Sequence, residues 1–267
     1  MRLSDNQMAD LDRNGFLILP SLFSEEEVNA IRARLPALAA DDDPANIAEK
    51  ESGVVRTMMG LHLRDPFFAK LVRHPRLLEP ALQILDEPAY IQQVKVNVKA
   101  AFSGDIWQWH YDFATHHRED GAPRPLALNL HIFLDDVTEF NGPLYFIPGS
   151  HKAGTQANGE HGAWLDTQTT SYPLWVCDQD TVKGLIEKGG LVSATGPKGT
   201  ALIFHDTLVH GSPNNMSPWD RSIYSLIVNP VSNALRAPTR PDWKHHHDLT
   251  PVTPLDDDCL KEAAAAE

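Results

Sequence analysis

Cysteine is scarce in this chain. Cys177 and Cys259 are the two in 267 residues, far apart and without metal-site spacing. That excludes a disulfide scaffold and a thiolate metal knuckle, and it points to a reducing, cytoplasmic setting. No apolar run is long enough to span a bilayer. Asp5, Asp10, Asp12 and Arg13 interrupt the N-terminal stretch, which excludes a secretory signal. Basic charge is also short: Lys and Arg number 23 against 36 Asp and Glu, a formal charge of -13. No basic face is left for nucleic acid. The partner to expect is a small molecule, met by a monomer or homodimer that binds neither membrane nor nucleic acid. Hydrophobic residues make up 42% of the sequence, enough to build a full core for one domain over residues 1–267.

The N-terminal third reads as helical. Ser4 to Asn14 is a short helix ended by Gly15, and Phe16 to Leu19 a strand stopped by Pro20. Ser24 and Glu27 form a capping box for a helix to about Leu35. A helical layer runs from Pro66 to Leu85, broken near Pro75 and Pro80. From Tyr90 the texture changes to alternation. Gln93, Lys95, Asn97 and Lys99 share one face of a strand, and Val94, Val96 and Val98 the other. Leu128 to Leu134 alternates in the same way, with Asn129 and His131 together. The turn Gly196-Pro197-Lys198-Gly199 feeds the apolar run Thr200 to Phe204, and Arg221 to Val228 is a further strand. This order predicts a mainly β fold with flanking helices, a double-stranded β-helix (jelly-roll, cupin-like) barrel. A helical layer covers about 1–88 and the barrel about 89–235. A lid-like insertion rich in Gly, Thr, Gln and Asp covers about 152–195, and a tail about 236–267, frayed at Ala263 to Glu267.

Within that frame, three residues have metal-ligand character. His110-x-Asp112 lies among Trp107, Trp109, Tyr111 and Phe113, which suit a half-buried strand. On a strand the two side chains project to one face. A second His-x-Asp, at His246 to Asp248, follows the polar stretch Arg240 to His245 and reads as a solvated loop. His210 opens His210-Gly211-Ser212, and after the turn Pro213 to Pro218 the chain returns at Arg221, eleven residues beyond His210. His205, at the end of the apolar run, is a rival ligand without the following Gly-Ser. Two imidazoles and a carboxylate on a rigid sheet suit a ferrous iron with open positions. A nearby arginine is a fixed cation for the far carboxylate of 2-oxoglutarate.

These features together resemble the phytanoyl-CoA dioxygenase family of Fe(II)/2-oxoglutarate oxygenases. Asn14 to Pro20 followed by Leu22-Phe23-Ser24 resembles its N-terminal opening. Asn141-Gly142-Pro143-Leu144 through Pro148-Gly149-Ser150-His151 resembles its central signature. Arg118 to Gly121, Lys95-x-Asn97-x-Lys99 and Arg73 to Leu78 are similar to the branch that acts on small free molecules, the ectoine and free-proline hydroxylases.

The resemblance implies iron held by His110, Asp112 and His210, with 2-oxoglutarate and O2 as co-substrates. It implies Arg221, Ser212, Asn97, Trp107 and Lys95 around 2-oxoglutarate, and Gln93, His116, Arg118 and Asn129 toward the substrate. The implied reaction is hydroxylation of an unactivated C–H bond of a small amino-acid-like or zwitterionic molecule, with release of succinate and CO2. Retention of Asp112, which halogenating relatives lack, favours hydroxylation. One departure stands out. Relatives carry tryptophan six residues after the first ligand, and this chain has His116, which suggests a more polar wall and a titration between about pH 6 and 7. Other readings of the same residues are an oxygenase for another secondary metabolite, a non-redox jelly-roll metal-binding module, and a metal hydrolase.

Overall fold

A computed structural model describes residues 1–153, 163–166 and 173–261. The N-terminal elements begin and end where local chemistry dictates. Helix α1 (Asp5–Asn14) opens on Ser4, whose hydroxyl accepts from Gln7 N while Gln7 reaches back. It stops at Gly15, whose φ of 86° is left-handed and where a Cβ would strike His151. Strand β1 (Phe16–Leu19) follows. Helix α2 (Glu25–Ala40) carries the expected Ser24–Glu27 capping box but runs past Leu35, through Pro36. Proline removes one backbone bond. Burial of Leu38, whose carbonyl accepts from Asn46 and Arg64, holds the last turn in place.

Strands β2 (Asn46–Ala48) and β3 (Val55–Met59) form an edge hairpin that the sequence pattern does not announce. Helices α3 (Leu61–Arg64), α4 (Pro66–Leu71) and α5 (Pro75–Leu85) complete the layer. The break falls before Pro75, at the first helical position, whereas Pro80 stays inside α5. The apolar face formed by Leu77, Leu78 and Ala81 is fully packed and outweighs the lost bond.

The barrel strands are β4 (Ala89–Lys99) and β5 (Trp107–His110), then helix α6 (Asp112–Asp120), β6 (Leu128–Phe133) and β7 (Leu144–Phe146). The hairpin β8 (Ala163–Asp166) and β9 (Pro173–Val176) leads to α7 (Gln179–Gly189), β10 (Val192–Ala194), β11 (Ala201–His205), β12 (His210–Ser212) and β13 (Arg221–Pro230). The major sheet has the order β1-β11-β6-β13-β4-β3-β2 and the minor sheet β10-β7-β12-β5, with all pairings antiparallel.

Alternation on β4 divides the molecule. Val94 and Val96 pack with Phe68, Leu77 and Leu78 beneath the helices. Gln93, Lys95 and Asn97 line a cleft between the sheets. Phe133, Phe146, Leu202, Phe204 and Ile223 fill the remaining inter-sheet space. This is the expected jelly roll with one helix-covered sheet.

Several boundaries shift. Val192–Ala194 pairs with β7, so the end of the expected insertion belongs to the minor sheet. Residues 154–162 and 167–172 of that insertion, and the expected fraying at 263–267, lie outside the described residues. The segment after 236 is no loose tail. Val252 N donates to Ala89 O and Leu255 N to Arg73 O, and Cys259 and Leu260 join the core. The stretch Arg240 to Asp248 is the expected loop, exposed at Pro241, Asp242, His247 and Asp248, except that His245 is fully buried against Asp120. Both cysteines are free and buried. Among the described residues no helix is long and apolar enough to cross a membrane.

Leu130, central on β6, is completely buried in the main cluster. Leu130→Ala is expected to destabilise the protein by about 2–5 kcal/mol through lost burial and a residual cavity, measured as a shifted denaturant midpoint with an unchanged slope.

Candidate metal and co-substrate site

The first ligand pair does not sit on one strand. β5 ends at His110, Tyr111 is extended (φ -133°, ψ 140°), and Asp112 is the first residue of α6. One extended residue between them still sends both side chains the same way. The helix N-terminus in addition favours a carboxylate at Asp112. His210 lies directly opposite His110 across the β12–β5 pair.

The donor atoms of His110, Asp112 and His210 all lie within 4.8 Å of one another, the sole such group among the described residues. His110 Nδ1 is 2.6 Å from Gln108 O and His210 Nδ1 is 2.9 Å from Leu208 O. Each ring therefore turns Nε2 inward, the tautomer control that metal-binding imidazoles need. Burial pushes the His110 imidazolium pKa down to about 3, so the ring is a neutral donor at pH 7. Burial alone would raise the Asp112 carboxyl, but His210 and Lys95 hold it below its ordinary value, and it is ionised. Asn129 Nδ2 donates to Asp112 Oδ2 at 2.9 Å and orients it. Two imidazole nitrogens and one carboxylate, each aimed by a neighbour, fit a divalent first-row metal with open positions.

His205 is turned away, stacked on His151 with ring centroids 5.1 Å apart. The second His-x-Asp is spent locally. His246 Nδ1 meets Asp242, His247 Nε2 meets Arg240 O, and Asp248 accepts from Thr250 N.

Arg221 is 2% exposed and faces the same cleft. Its Nε donates to Gly142 O and its Nη2 to Ser212 Oγ, both at 3.0 Å. Ser212 Oγ also donates to Gly142 O at 2.9 Å. Burial, then the nearby Arg56 cation, pushes the guanidinium pKa down to about 9. No carboxylate pairs with it among the described residues. The Asn-Gly of the central signature explains itself here. Asn141 bridges Thr138 N and Asp136 O, and Gly142 turns at φ 77° with Lys99 packed where a Cβ would stand.

The cleft is lined by Gln93, Lys95, Asn97, Trp107, His116 and Asn129 as well as the triad and Arg221. Lys95 Nζ donates to Gln93 Oε1 at 2.6 Å and is held below its ordinary pKa by burial. Asn97 accepts from Thr57 Oγ1. Asn129, expected toward the substrate, has its amide on Asp112 instead.

Arg118 corrects the sequence reading. Because α6 starts at Asp112, His116 falls one turn on and shares its face, whereas residue 118, six positions on, points away. Arg118 is exposed, with its guanidinium 3.6 Å above the Trp175 ring. Lys99, on the polar face of β4, is not in the cleft wall either, and donates to Asp105, Ser212 and Pro213 carbonyls. His116 does not titrate near neutrality, because burial pushes its pKa down to about 3.

Sequence reasoning missed Arg56. It is 1% exposed, chelated by Glu49, bonded to Ile106 O, and stacked 3.7 Å over Trp107. A charged residue inside the apolar run Val55–Met59 was the available signal.

A jelly roll carrying two imidazoles and one carboxylate beside a buried arginine has the plan of a mononuclear non-haem iron oxygenase. The model of the phytanoyl-CoA dioxygenase family matches residues 11–223, and the chain belongs to that family. It is 40% identical over 253 residues to an L-proline trans-4-hydroxylase of Streptomyces griseoviridis, covering 93% of this chain and 94% of the relative. It is 36% identical over 247 residues to an ectoine dioxygenase of Bordetella bronchiseptica, covering 88% and 78%. The solved structure of EctD from S. alaskensis with 2-oxoglutarate and 5-hydroxyectoine superposes with a TM-score of 0.82 at 32% identity, covering 95% of this chain and 87% of that one. Membership in a dioxygenase family speaks against the non-redox module and the hydrolase.

Alanine at His110, Asp112 or His210 is expected to abolish Fe(II) binding, because each removes one of three ligand bonds. His205→Ala is expected to retain it. Anaerobic calorimetric titration with Fe(II) checks both, and loss of binding in His205→Ala alone would overturn the assignment.

Proposed function

We propose that this dioxygenase uses Fe(II), 2-oxoglutarate and O2 to hydroxylate an unactivated C–H bond of a small amino-acid-like or zwitterionic substrate, releasing succinate and CO2. The observation that carries the reading is that one buried cleft holds both the His110–Asp112–His210 group and Arg221, a buried cation without a carboxylate partner among the described residues. The likeness to an L-proline hydroxylase and to ectoine dioxygenases supports the small, free substrate.

Bound iron supplies the activation of O2 and the oxidising step. The chain supplies position. His110, Asp112 and His210 hold the metal on one side, and Asn129 keeps the Asp112 carboxylate aimed. Arg221 pairs with the far carboxylate of 2-oxoglutarate, and Ser212 and Gly142 O keep the guanidinium in plane. Lys95 and Asn97, one strand-step apart on β4, face the same cleft and suit the remaining oxygens. Trp107, backed by Arg56, walls the co-substrate end. Gln93 and His116 belong to the substrate end, and Leu174 on β9 helps close the cleft against water. The whole chain acts as a single catalytic unit in a reducing compartment, where its two buried thiols stay free.

Arg221→Ala is expected to weaken 2-oxoglutarate by about 2–5 kcal/mol, roughly 30- to 4,000-fold, by leaving a buried carboxylate unpaired. Fe(II) affinity stays unchanged. Unaltered 2-oxoglutarate dependence would remove Arg221 from this role. For the substrate, succinate release across a panel led by L-proline and other cyclic amino acids, coupled to mass spectrometry for a gain of one oxygen atom, is the test. A panel in which acyl-CoA thioesters alone give coupled product would overturn the small-substrate reading.

A further inference from the structure

Side chains alternate along a regular strand, so neighbouring residues face opposite sides. Gln92 and Gln93 on β4 escape that rule. Gln93 pairs with Ile227 and Ile91 with Val228, which makes Gln92 the extra residue of a β-bulge. A bulge leaves its extra residue outside the ladder and re-aims its side chain. The Gln92 carbonyl instead accepts from His246 N, in the C-terminal segment, at 2.8 Å. Its side chain is carried to His116, with Nε2 2.9 Å from Nδ1, and both residues are buried. The His245 ring packs edge-on against His116, centroids 5.2 Å apart.

The direction of the Gln92–His116 hydrogen bond follows from what each choice leaves unpaired. As placed, Gln92 Oε1 is a buried acceptor without a partner among the described residues. Turning the amide over would leave a buried NH2 without acceptors instead. Orphan donors are rarer in proteins than under-satisfied carbonyl oxygens. The amide therefore donates to Nδ1, and a neutral imidazole that accepts at Nδ1 carries its hydrogen on Nε2. The ring lines the cleft, so Nε2–H is the group left for a ligand.

We propose that Gln92, delivered by the bulge, is a positioning residue that locks His116 as the Nε2–H tautomer. The cleft wall then offers a fixed donor, and it selects a substrate that presents an oxygen acceptor there, a carboxylate or carbonyl. The inference rests on the reading of this cleft as the substrate site. It deepens that reading, because the wall donor it assigns is one whose direction a second residue sets.

The test reads the tautomer first. Zn(II)-loaded protein labelled with 15N-histidine, studied by long-range 1H–15N correlation, is expected to show His116 with Nδ1 unprotonated and Nε2 protonated. The signals are assigned by their loss in His116→Gln. In Gln92→Leu both nitrogens are expected to move toward the averaged positions of a mixed tautomer. A wild-type ring protonated at Nδ1, or a Gln92→Leu spectrum identical to wild type, overturns the lock. The second arm titrates L-proline into the anaerobic Fe(II)–2-oxoglutarate protein and follows its visible absorption. Gln92→Leu is expected to weaken L-proline roughly tenfold, the scale of one hydrogen bond, with 2-oxoglutarate affinity unchanged. Equal L-proline affinity in both proteins overturns the selective role. A wild-type protein that ignores L-proline counts against the substrate reading and not the tautomer, which the nitrogen spectrum settles without a ligand.

Discussion

Burying Arg221 is the constraint around which the site is arranged. A guanidinium without a counter-charge is costly inside a protein unless its donors are met. Here two of them are met by neutral oxygens, Gly142 O and Ser212 Oγ. Those oxygens exist at that place because Asn141-Gly142 makes a turn that no side chain could make, and because Ser212 ends the strand that begins with His210. His210 and Arg221 are thus fixed to one another through three residues of β12. Lys99 closes the arrangement from behind by binding the Ser212 and Pro213 carbonyls. A dicarboxylate reaching Arg221 would supply the counter-charge that the fold itself leaves out, which is the electrostatic reason the proposed co-substrate would suit this cleft.

The substrate end follows a different logic. Its polar groups are mainly neutral: His116 and His131 are kept uncharged by burial, and Gln93 and Asn129 are already engaged. The charges lie one layer back, where Asp120 pairs with Arg240. This gives direction without a strong local field.

Much of this was legible in the sequence because spacing maps simply onto geometry. His110-x-Asp112, His210-Gly211-Ser212 and the returning Arg221 need a strand, a turn and a hairpin-like return, and each has a local signature. The alternation of β4 placed Gln93, Lys95 and Asn97 correctly for the same reason. Arg118 was misplaced because the pattern gives no sign that a helix begins at Asp112, and a change of period after the ligand turns residue 118 outward. Asn129 lines the cleft as its strand face implies, but a strand face does not say that its amide will bond Asp112. Arg56 left only a faint trace, a charge inside an apolar run, and His245 left none. Their partners, Trp107 and Asp120, are distant in sequence, and nothing local reports a tertiary contact of that kind.

The bulge at Gln92 shows where local reading stops. From sequence, Gln92 belongs to the apolar face of β4, among Val94 and Val96, where an amide would be an error of patterning. One inserted residue converts that apparent error into a partner for His116. A break in a strand's alternation, next to a strand that otherwise alternates cleanly, is therefore informative. It marks a place where the sheet has given up a regular pair of backbone bonds, here replaced by His246 N, to bring a polar group to the inside. In this chain the break lies beside His116 on the cleft wall, so the support for that ring comes from one local distortion of the barrel.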